Sequence, residues 1–257
     1  MNALLLAAGY ATRLYPLTLH TPKPLLPVAG KPIAGYMVEQ LAEVPAIGRL
    51  LVVTNHRFAS HFEAWAREDA SRFDIEVVDD GTDTNETRLG AIGDVAFTLA
   101  RYPELAREPL FVLGVDNLVD FRLGDLADDF TQRGGGSTVI CLTRESDPAQ
   151  LRRSGVVTLG EDDRVVGFVE KPQEPPSDLT CPPFYVYPPG ALALIGDYLA
   201  AGESADAPGN FIAWLHTRAL VYGHVFEQRR YDVGTPETYA EACRLFEARA
   251  AGAARRA

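Results

Sequence analysis

The sequence has few of the residues from which disulfide frameworks and zinc sites are built. It contains 3 cysteines and 5 histidines in 257 residues. The cysteines, Cys141, Cys181 and Cys243, are odd in number and far apart, and the histidines show no metal-ligand spacing. Neither a disulfide framework nor a zinc site is therefore indicated. We expect each cysteine to be a buried or half-buried apolar residue.

Long apolar runs and a surplus of basic residues are also missing. No apolar run approaches the ~20 residues of a membrane-spanning helix, and the N-terminus lacks the basic and apolar regions of a signal peptide. With 24 basic and 35 acidic residues, the formal net charge is −11, which disfavours broad binding to nucleic acid or anionic lipid. We expect a cytoplasmic protein without nucleic-acid or membrane partners, and a homo-oligomer stays open.

What the sequence does contain is an alternation of short apolar runs and amphipathic segments. Strands are predicted at 3–7, 50–54, 75–78, 110–114 and 138–142, and helices at about 32–41, 58–68, 90–101 and 123–132. This alternation is typical of repeated βαβ units. It predicts an α/β fold with a doubly wound, mainly parallel sheet.

The pattern changes after the glycines at 134–136. The later elements are predicted as a hairpin from 156–159 and 165–169, strands at 184–187 and 220–226, and helices near 191–200, 210–218 and from Pro236 onward. No internal repeat is present, so a C-terminal hexapeptide β-helix is not expected.

The first apolar run leads into a long irregular loop, LAAGYATRLYPLTLHTPKPLLPVAGKPI, residues 6–33. Small residues at 7–9 leave the backbone open to a bulky anion, although neither a P-loop nor a dinucleotide motif is present. Prolines on both sides of Lys23 restrict its backbone and so help to place its ammonium group. Taken alone, a lysine between prolines is more typical of an exposed loop.

Together these residues resemble the opening signature of the sugar-1-phosphate nucleotidylyltransferases, L-A-x-G-x-G-T-R-L-x-P-L-T followed by P-K-P-L-L-P-V and G-K-P. The resemblance implies a Rossmann-like nucleotidyltransferase fold with a small sugar-binding lobe. It also implies an enzyme that condenses a nucleoside triphosphate with a sugar-1-phosphate to give a nucleotide sugar and pyrophosphate. Arg13 and Lys23 would be the catalytic cations, and the nucleotide-binding residues of the loop would be Ala7, Ala8 and Gly9.

Two acids match the family's magnesium ligands. Asp116 follows the predicted strand 110–114, and Asp232 begins a match to D-x-G-T-P-E. A single aspartate after a strand is more often a turn or cap residue. Because ligands collect at the carboxyl ends of parallel strands, the pair nevertheless supports an oxygen-liganded Mg²⁺ site.

The acceptor site would come from the hairpin. Residues 169–172, VEKP, match the family's E-K-P, in which Glu170 would contact sugar hydroxyls and Lys171 the sugar phosphate. Judged by charge alone, Glu170 and Lys171 would instead be exposed residues at the end of a strand. Gly155 lies in a segment that resembles Y-G-V-V, and it would let the sugar ring approach the backbone.

Several positions depart from the family pattern. The second loop glycine is replaced by Ala11, whose methyl group is tolerated if its φ angle is negative, and the glycine before the first acid is replaced by Val115, with Gly114 one position earlier. The base-binding loop L-G-T-A-G is matched mainly by Leu89 and Gly90, which the resemblance assigns to the nucleotide.

Residues 180–185, TCPPFY, replace N-A-G-I-Y in the sugar segment. Because two prolines cannot donate backbone hydrogen bonds, the acceptor could instead be phosphocholine, a phosphonate or an alditol phosphate, used by a cytidylyltransferase-type enzyme. The departures at Ala11, Val115 and the base loop leave a non-catalytic nucleotide-sugar sensor as a third hypothesis.

We expect one domain over residues 1–246, nucleotide-binding to about 145 and sugar-phosphate-binding from about 146, with a tail at 247–257.

Overall fold

The computed structural model describes residues 1–68, 71 and 73–254. Its strands are β1 (Asn2–Leu6), β2 (Pro27–Val28), β3 (Lys31–Pro32), β4 (Leu50–Thr54), β5 (Ile75–Asp79), β6 (Leu110–Gly114), β7 (Asn117–Val119), β8 (Thr138–Arg144), β9 (Gly155–Leu159), β10 (Val165–Glu170), β11 (Leu179–Thr180), β12 (Phe184–Tyr187), β13 (Val221–Phe226) and β14 (Arg230–Asp232). Its helices are α1 (Ile33–Ala42), α2 (Ala59–Glu68), α3 (Ala91–Arg101), α4 (Leu123–Gln132), α5 (Pro148–Leu151), α6 (Pro189–Ala200), α7 (Pro208–Leu215) and α8 (Pro236–Ala254).

One large mixed sheet forms the centre of the protein. Its strands lie in the order β10, β9, β11, β8, β12, β6, β1, β4 and β5, and β13 also pairs with β8. β1 is parallel to both β4 and β6, and β5 is parallel to β4. The predicted hairpin is present as β9 and β10, and it joins the same sheet through β11. The α/β class with a mainly parallel sheet is therefore confirmed.

Apolar layers cover both faces of this sheet. All five residues of β4 are buried, as expected for a parallel strand covered by helices on both sides. On one face α1 buries Met37, Val38 and Leu41, which lie on one side of the helix. On the other face residues such as Tyr185 of β12 pack with α3, α6 and α7. The carboxyl ends of β1 and β6 border a cavity, so the helices position a site at that edge.

Two two-stranded sheets that were not predicted from the sequence lie beside the large one. One pairs β2 with β3, and we call the other the small sheet. It pairs β7 with β14 in antiparallel register, with Asp232 opposite Asn117. Helix α8 holds this pair in place, because Arg249 donates a hydrogen bond to Asp120 Oδ1 at 2.5 Å and Tyr231 donates one to Asp120 Oδ2 at 2.6 Å. The small sheet brings the C-terminal acid next to the residues that follow β6.

The C-terminal helix is longer than expected. Helix α8 runs to Ala254, past residue 247 where the tail was expected to begin, and residues 255–257 of that tail lie outside the described part of the chain. Cys141 is buried, and Cys181 and Cys243 are half-buried, as expected. Among the described residues, no helix combines the length and the apolar character needed to span a bilayer.

The loop after β1 contains a strained residue. Ala11 has φ 46° and ψ 44°, so the condition of a negative φ, under which its methyl group would be tolerated freely, is not met. The left-handed angle is required because the chain turns here into a short 3-10 turn, Thr12–Leu14, with Leu14 N–H and Thr18 Oγ1 both donating to the Ala11 carbonyl. This conformation costs an alanine roughly 1–2 kcal/mol.

We expect Ala11→Gly to raise the free energy of unfolding by about 0.5–1 kcal/mol. Glycine removes the backbone strain of ~1–2 kcal/mol, and part of that gain is offset by ~0.4–1 kcal/mol of extra freedom in the unfolded chain. Gly30→Ala is the matched control, because Gly30 has φ 81° with open space around it, and it should lower stability by a similar amount. Urea unfolding followed by circular dichroism measures both, and a loss of stability in Ala11→Gly would contradict the account.

Candidate active site

A cavity of about 340 Å³ opens where β1 and β6 end. Most of the residues predicted to bind nucleotide or to act as catalytic cations line it, namely Ala7, Ala8, Gly9, Arg13, Lys23 and Gly90, and so does the predicted metal ligand Asp116. We call it the larger cavity. Its floor is made by the small residues after β1, which leave the backbone exposed to a ligand.

Lys23 is buried in the wall of the larger cavity. It begins a short 3-10 turn, Lys23–Leu25, between the two prolines, and only 6% of the residue is exposed. Its Nζ lies 3.2 Å from Asp116 Oδ2. Arg13 is exposed, lines the same cavity and makes no ion pair with any residue that the structure describes. One cation is thus held rigidly by a carboxylate, and the other is free to meet an anion.

Asp116 is the centre of a short polar chain. Its Oδ2 accepts from Lys23, its Oδ1 accepts from Asn117 Nδ2 at 2.5 Å, and Asn117 Oδ1 accepts from Arg230 at 2.8 Å. Desolvation acts to raise the pKa of Asp116, but Lys23 and Arg230 outweigh it and hold the pKa below its ordinary value. The carboxylate is therefore ionised at neutral pH.

A second cavity, of about 180 Å³, adjoins the first. Asp116, Gly155, Glu170 and Asp232 line this smaller cavity, and Asp116 also lines the larger one. The two predicted acids therefore open onto a common space, as the sequence led us to expect. The Asp116 carboxylate lies at the junction of the two cavities.

The two acids have the chemistry of a hard-cation site. Asp232 is exposed, stands opposite Asn117 in the small sheet and faces the smaller cavity, so its oxygens and those of Asp116 border one space. Carboxylate oxygens suit Mg²⁺, which keeps several waters or phosphate oxygens as further ligands. Among the residues described, no group of three or more histidine, cysteine or acidic side chains is arranged to hold a metal. Two carboxylates with solvent and substrate oxygens fit magnesium and do not fit a closed zinc site.

Glu170 is fixed between two glycines. A Cβ atom on Gly155 would lie 2.9 Å from Glu170 Oε2 and 2.5 Å from Phe168, and one on Gly209 would also clash with Glu170. Gly155 therefore makes room for these side chains, which is a different reason from the approach of a sugar ring that we expected. Burial raises the pKa of Glu170, with Lys171 opposing that effect.

Two predicted site residues lie outside the walls of the cavities. Leu89 is next to Gly90 but is not part of the lining, and the Lys171 side chain is 60% exposed with its Nζ 3.8 Å from Glu170 Oε1. Two cations that sequence reasoning missed, Arg153 and Arg230, line the smaller cavity instead. In the sequence Arg230 is only the second residue before the predicted ligand Asp232. The pairing of β7 with β14 places its side chain at the smaller cavity.

The loop that was expected to bind the base, around Gly90, contacts a segment that the sequence did not connect to it. Gly90 has φ 80°, and a Cβ there would lie 2.6 Å from the Ala205 carbonyl oxygen. Arg88 pairs with Asp206 at 3.0 Å. The segment before α7 therefore closes the larger cavity on this side.

The displaced glycine before Asp116 has a structural reason. A Cβ on Gly114 would lie 2.6 Å from Pro183 Cγ, and the Gly114 N–H donates to the Pro183 carbonyl at 2.8 Å. Two departures from the family pattern, the early glycine and the Pro182-Pro183 pair, therefore fit one another. Pro183 has no N–H to donate, but it packs closely against Gly114 and its carbonyl accepts the Gly114 N–H.

Comparisons with known proteins agree with this geometry. The family model described as nucleotidyl transferase matches residues 2–249. A mannose-1-phosphate guanylyltransferase catalytic subunit beta from Danio rerio is 35% identical over 199 residues, covering 76% of this chain and 52% of that protein. A mannose-1-phosphate guanylyltransferase from Mycobacterium tuberculosis is 30% identical over 241 residues, covering 93% of this chain and 62% of that protein.

Solved structures show the same fold. A UDP-glucose pyrophosphorylase complexed with UDP-glucose superposes with a TM-score of 0.82 at 20% identity, covering 96% of this chain and 98% of that one. An apo UDP-glucose pyrophosphorylase gives a TM-score of 0.78 at 19% identity over 97% of this chain and 99% of that one. The chain spans about half the length of the first curated relatives it matches. Since the family model covers nearly all of it, the chain belongs to the nucleotidyl transferase family.

Proposed function

We propose that this chain transfers a nucleotidyl group from a nucleoside triphosphate to a sugar-1-phosphate and releases pyrophosphate. The observation that carries the proposal is the position of Asp116, whose side chain lines both cavities. A transfer between two phosphorylated substrates needs them to meet at one point with their charges balanced. The junction of the cavities is such a point.

The larger cavity would take the triphosphate. An oxygen of the acceptor phosphate attacks the α-phosphorus, the bond from that phosphorus to the bridging oxygen breaks, and pyrophosphate leaves with the electron pair. Lys23 is held 3.2 Å from Asp116 and Arg13 is free to contact phosphate oxygens, so both can neutralise the charge that builds up. We assign Ala7, Ala8, Gly9 and Gly90 to contacts with the nucleotide through exposed backbone, with Leu89 supporting Gly90.

We propose that Asp116 and Asp232 hold Mg²⁺ at the junction. When bound there, the ion would neutralise phosphate oxygens and fix their relative positions. The low pKa of Asp116 keeps its oxygens available as ligands at neutral pH. The positive charges of Lys23 and Arg230 limit the repulsion between the two carboxylates. Lys23 holds the Asp116 side chain directly, and Arg230 holds it through Asn117.

The smaller cavity would take the acceptor. The half-buried Glu170 presents carboxylate oxygens to sugar hydroxyls, and Arg153, Arg230 and, at the mouth, Lys171 supply positive charge for the phosphate. Gly155 shapes the wall by letting Glu170 pack closely.

One observation favours a second candidate, a non-sugar phosphorylated alcohol as the acceptor. Cys181, Pro182 and Pro183 form part of the wall of the smaller cavity, and prolines have no N–H with which to bind hydroxyl groups. The experiment that separates the candidates is a matrix of nucleoside triphosphates against sugar-1-phosphates, phosphocholine, a phosphonate and alditol phosphates, with Mg²⁺ and pyrophosphate release as readout. Nucleotide binding without pyrophosphate release anywhere in the matrix would instead support a sensor.

We expect Lys23→Met and Arg13→Met each to lower kcat by ~10² or more, because each removes a charge aimed at the transferring phosphate. Lys31→Met is the matched control. Lys31 pairs with Glu39 and lines neither cavity. The kcat of the Lys31→Met variant should therefore stay near that of the unchanged protein. Steady-state pyrophosphate release measures all three, and a near-normal kcat for either test variant removes that residue from the mechanism.

Asp232→Asn should raise the Mg²⁺ concentration needed for half-maximal turnover by ~10-fold or more, because ligand charge sets the affinity of oxygen sites. Asp232 is exposed, so the fold should be kept. Asp125→Asn in α4 is the control, since its side chain is 44% exposed and lines neither cavity. An unchanged Mg²⁺ requirement in Asp232→Asn would argue against the assigned metal site.

Arg230→Met should raise the KM for the acceptor by ~10-fold, since a hydrogen bond to a charged group contributes ~1.5–3 kcal/mol. Lys171→Met should have a smaller effect because Lys171 lies at the mouth. The KM for the nucleotide is measured in both variants and should change less than the KM for the acceptor, because Arg230 reaches Asp116 only through Asn117. A larger acceptor effect in Lys171→Met than in Arg230→Met would reverse this assignment.

A further inference from the structure

Three side chains between the small sheet and α8 are hydrogen-bonded to one another in a closed triangle. Arg249 of α8 donates to both oxygens of Asp120, at 2.5 Å from Nη1 to Oδ1 and at 3.1 Å from Nη2 to Oδ2. Tyr231 of β14 donates to Asp120 Oδ2 at 2.6 Å, and its hydroxyl oxygen accepts from Arg249 Nη2 at 2.7 Å. These three residues line neither cavity. We call them the triangle.

The side chains of β14 alternate between the smaller cavity and α8. Arg230 and Asp232 line the cavity, whereas Tyr231 between them packs edge-on against Phe246 of α8, with ring centroids 5.7 Å apart. Because successive side chains of a strand point to opposite faces, a slip of one residue in the pairing would exchange the two sets. Arg230 and Asp232 would then turn away from the cavity, and the site would lose a cation and an acid.

Backbone pairing alone is too short to fix this register. β7 and β14 pair over three residues each, with Tyr231 opposite Leu118, and an isolated pair of strands is only marginally stable. After β14 the chain is anchored by the buried Val233, but residues 227–229 before β14 are exposed. The register therefore depends on side-chain contacts of β14 such as those of Tyr231.

The triangle is stronger than a typical surface ion pair. Exposed pairs contribute little to stability unless the arginine binds the carboxylate through two hydrogen bonds or several groups form a network, and both conditions hold here. The Asp120 side chain is 28% exposed and that of Arg249 is 42% exposed, so both are partly shielded from water. The Arg249 guanidinium also lies 4.9 Å from the centre of the Phe246 ring, a favourable cation–π distance. Tyr231 therefore cannot move without breaking hydrogen bonds to two other segments.

We propose that the triangle fixes the register of β14 and so directs Arg230 and Asp232 into the smaller cavity. This inference rests on the proposed function, in which Asp232 binds Mg²⁺ and Arg230 supports the acceptor. The three residues of the triangle are positioning residues, which act through β14 and contact neither substrate. Arg249 belongs to the end of α8 that the sequence predicted as a tail, and this end of the helix thus serves the site.

The first test measures how firmly β7 and β14 pair, by hydrogen–deuterium exchange of their backbone amides, which needs no turnover. In Arg249→Met this exchange should accelerate about 5-fold or more, because hydrogen bonds to a charged group are lost. Arg249→Lys keeps the charge but not the two-pronged geometry, so its exchange should lie between the two. Arg244→Met is the matched control and should exchange like the unchanged protein. Arg244 is exposed on the same helix and makes no ion pair with any residue that the structure describes.

The second test asks whether the triangle acts on the proposed metal ligand, through the Mg²⁺ concentration needed for half-maximal pyrophosphate release. It should rise ~3–10-fold in Arg249→Met, since residues that orient a metal ligand change metal affinity through that ligand. Asp120→Asn, which removes the charge from the other side of the triangle, should act in the same direction. Adding Arg249→Met to Asp232→Asn should raise the Mg²⁺ requirement no further, because the ligand to be oriented is already lost, whereas independent effects would add.

Unchanged amide exchange of β7 and β14 in Arg249→Met would overturn the inference, and so would full additivity with Asp232→Asn. Equal acceleration of exchange in the large sheet would also contradict it, because the triangle would then stabilise the whole fold rather than the register of β14; urea unfolding of each variant checks this. If the unchanged protein releases no pyrophosphate with any pair of substrates, the proposed function fails, and the exchange comparison by itself decides whether the triangle fixes β14.

Discussion

The contact between Lys23 Nζ and Asp116 Oδ2, 3.2 Å long, joins the loop after β1 to the residues after β6. Because β1 and β6 are parallel neighbours, their carboxyl ends meet at one edge of the sheet, and the two segments must share that space. A buried lysine requires a partner, so the loop cannot close without the acid. The remaining polar groups of the site are arranged around this pair.

The departures from the family pattern are consistent with this constraint. Gly114 and Pro183 pack against one another directly beside Asp116, which keeps the acid in place although Val115 stands where a glycine is usual. Ala11 keeps the turn of the loop at the cost of a left-handed backbone. Strain of this kind persists only where surrounding contacts determine the conformation, and such positions cluster at functional sites.

Much of the fold could be predicted from the sequence because its signals are local. The runs at 50–54 and 110–114 agree with β4 and β6, and the amphipathic run at 123–132 agrees with α4. The convergence of Asp116 and Asp232 on one space was also expected, from a rule about parallel strands and from motif spacing.

The other parts of the site depend on contacts between distant segments. β7 and β14 are too short to show a period, so the place of Arg230 could not be predicted. Lys171 matches a motif, but its φ of 50° and its exposure are set by the folded hairpin.

We propose that one carboxylate, that of Asp116, serves both substrates. The most direct test is calorimetric binding of a nucleoside triphosphate and of a sugar-1-phosphate, each with Mg²⁺, to Asp116→Asn and to the unchanged protein. We expect the variant to bind both ligands more weakly. If only one of the two affinities changes, Asp116 contacts only one substrate, and the proposal that both substrates meet at its carboxylate is wrong.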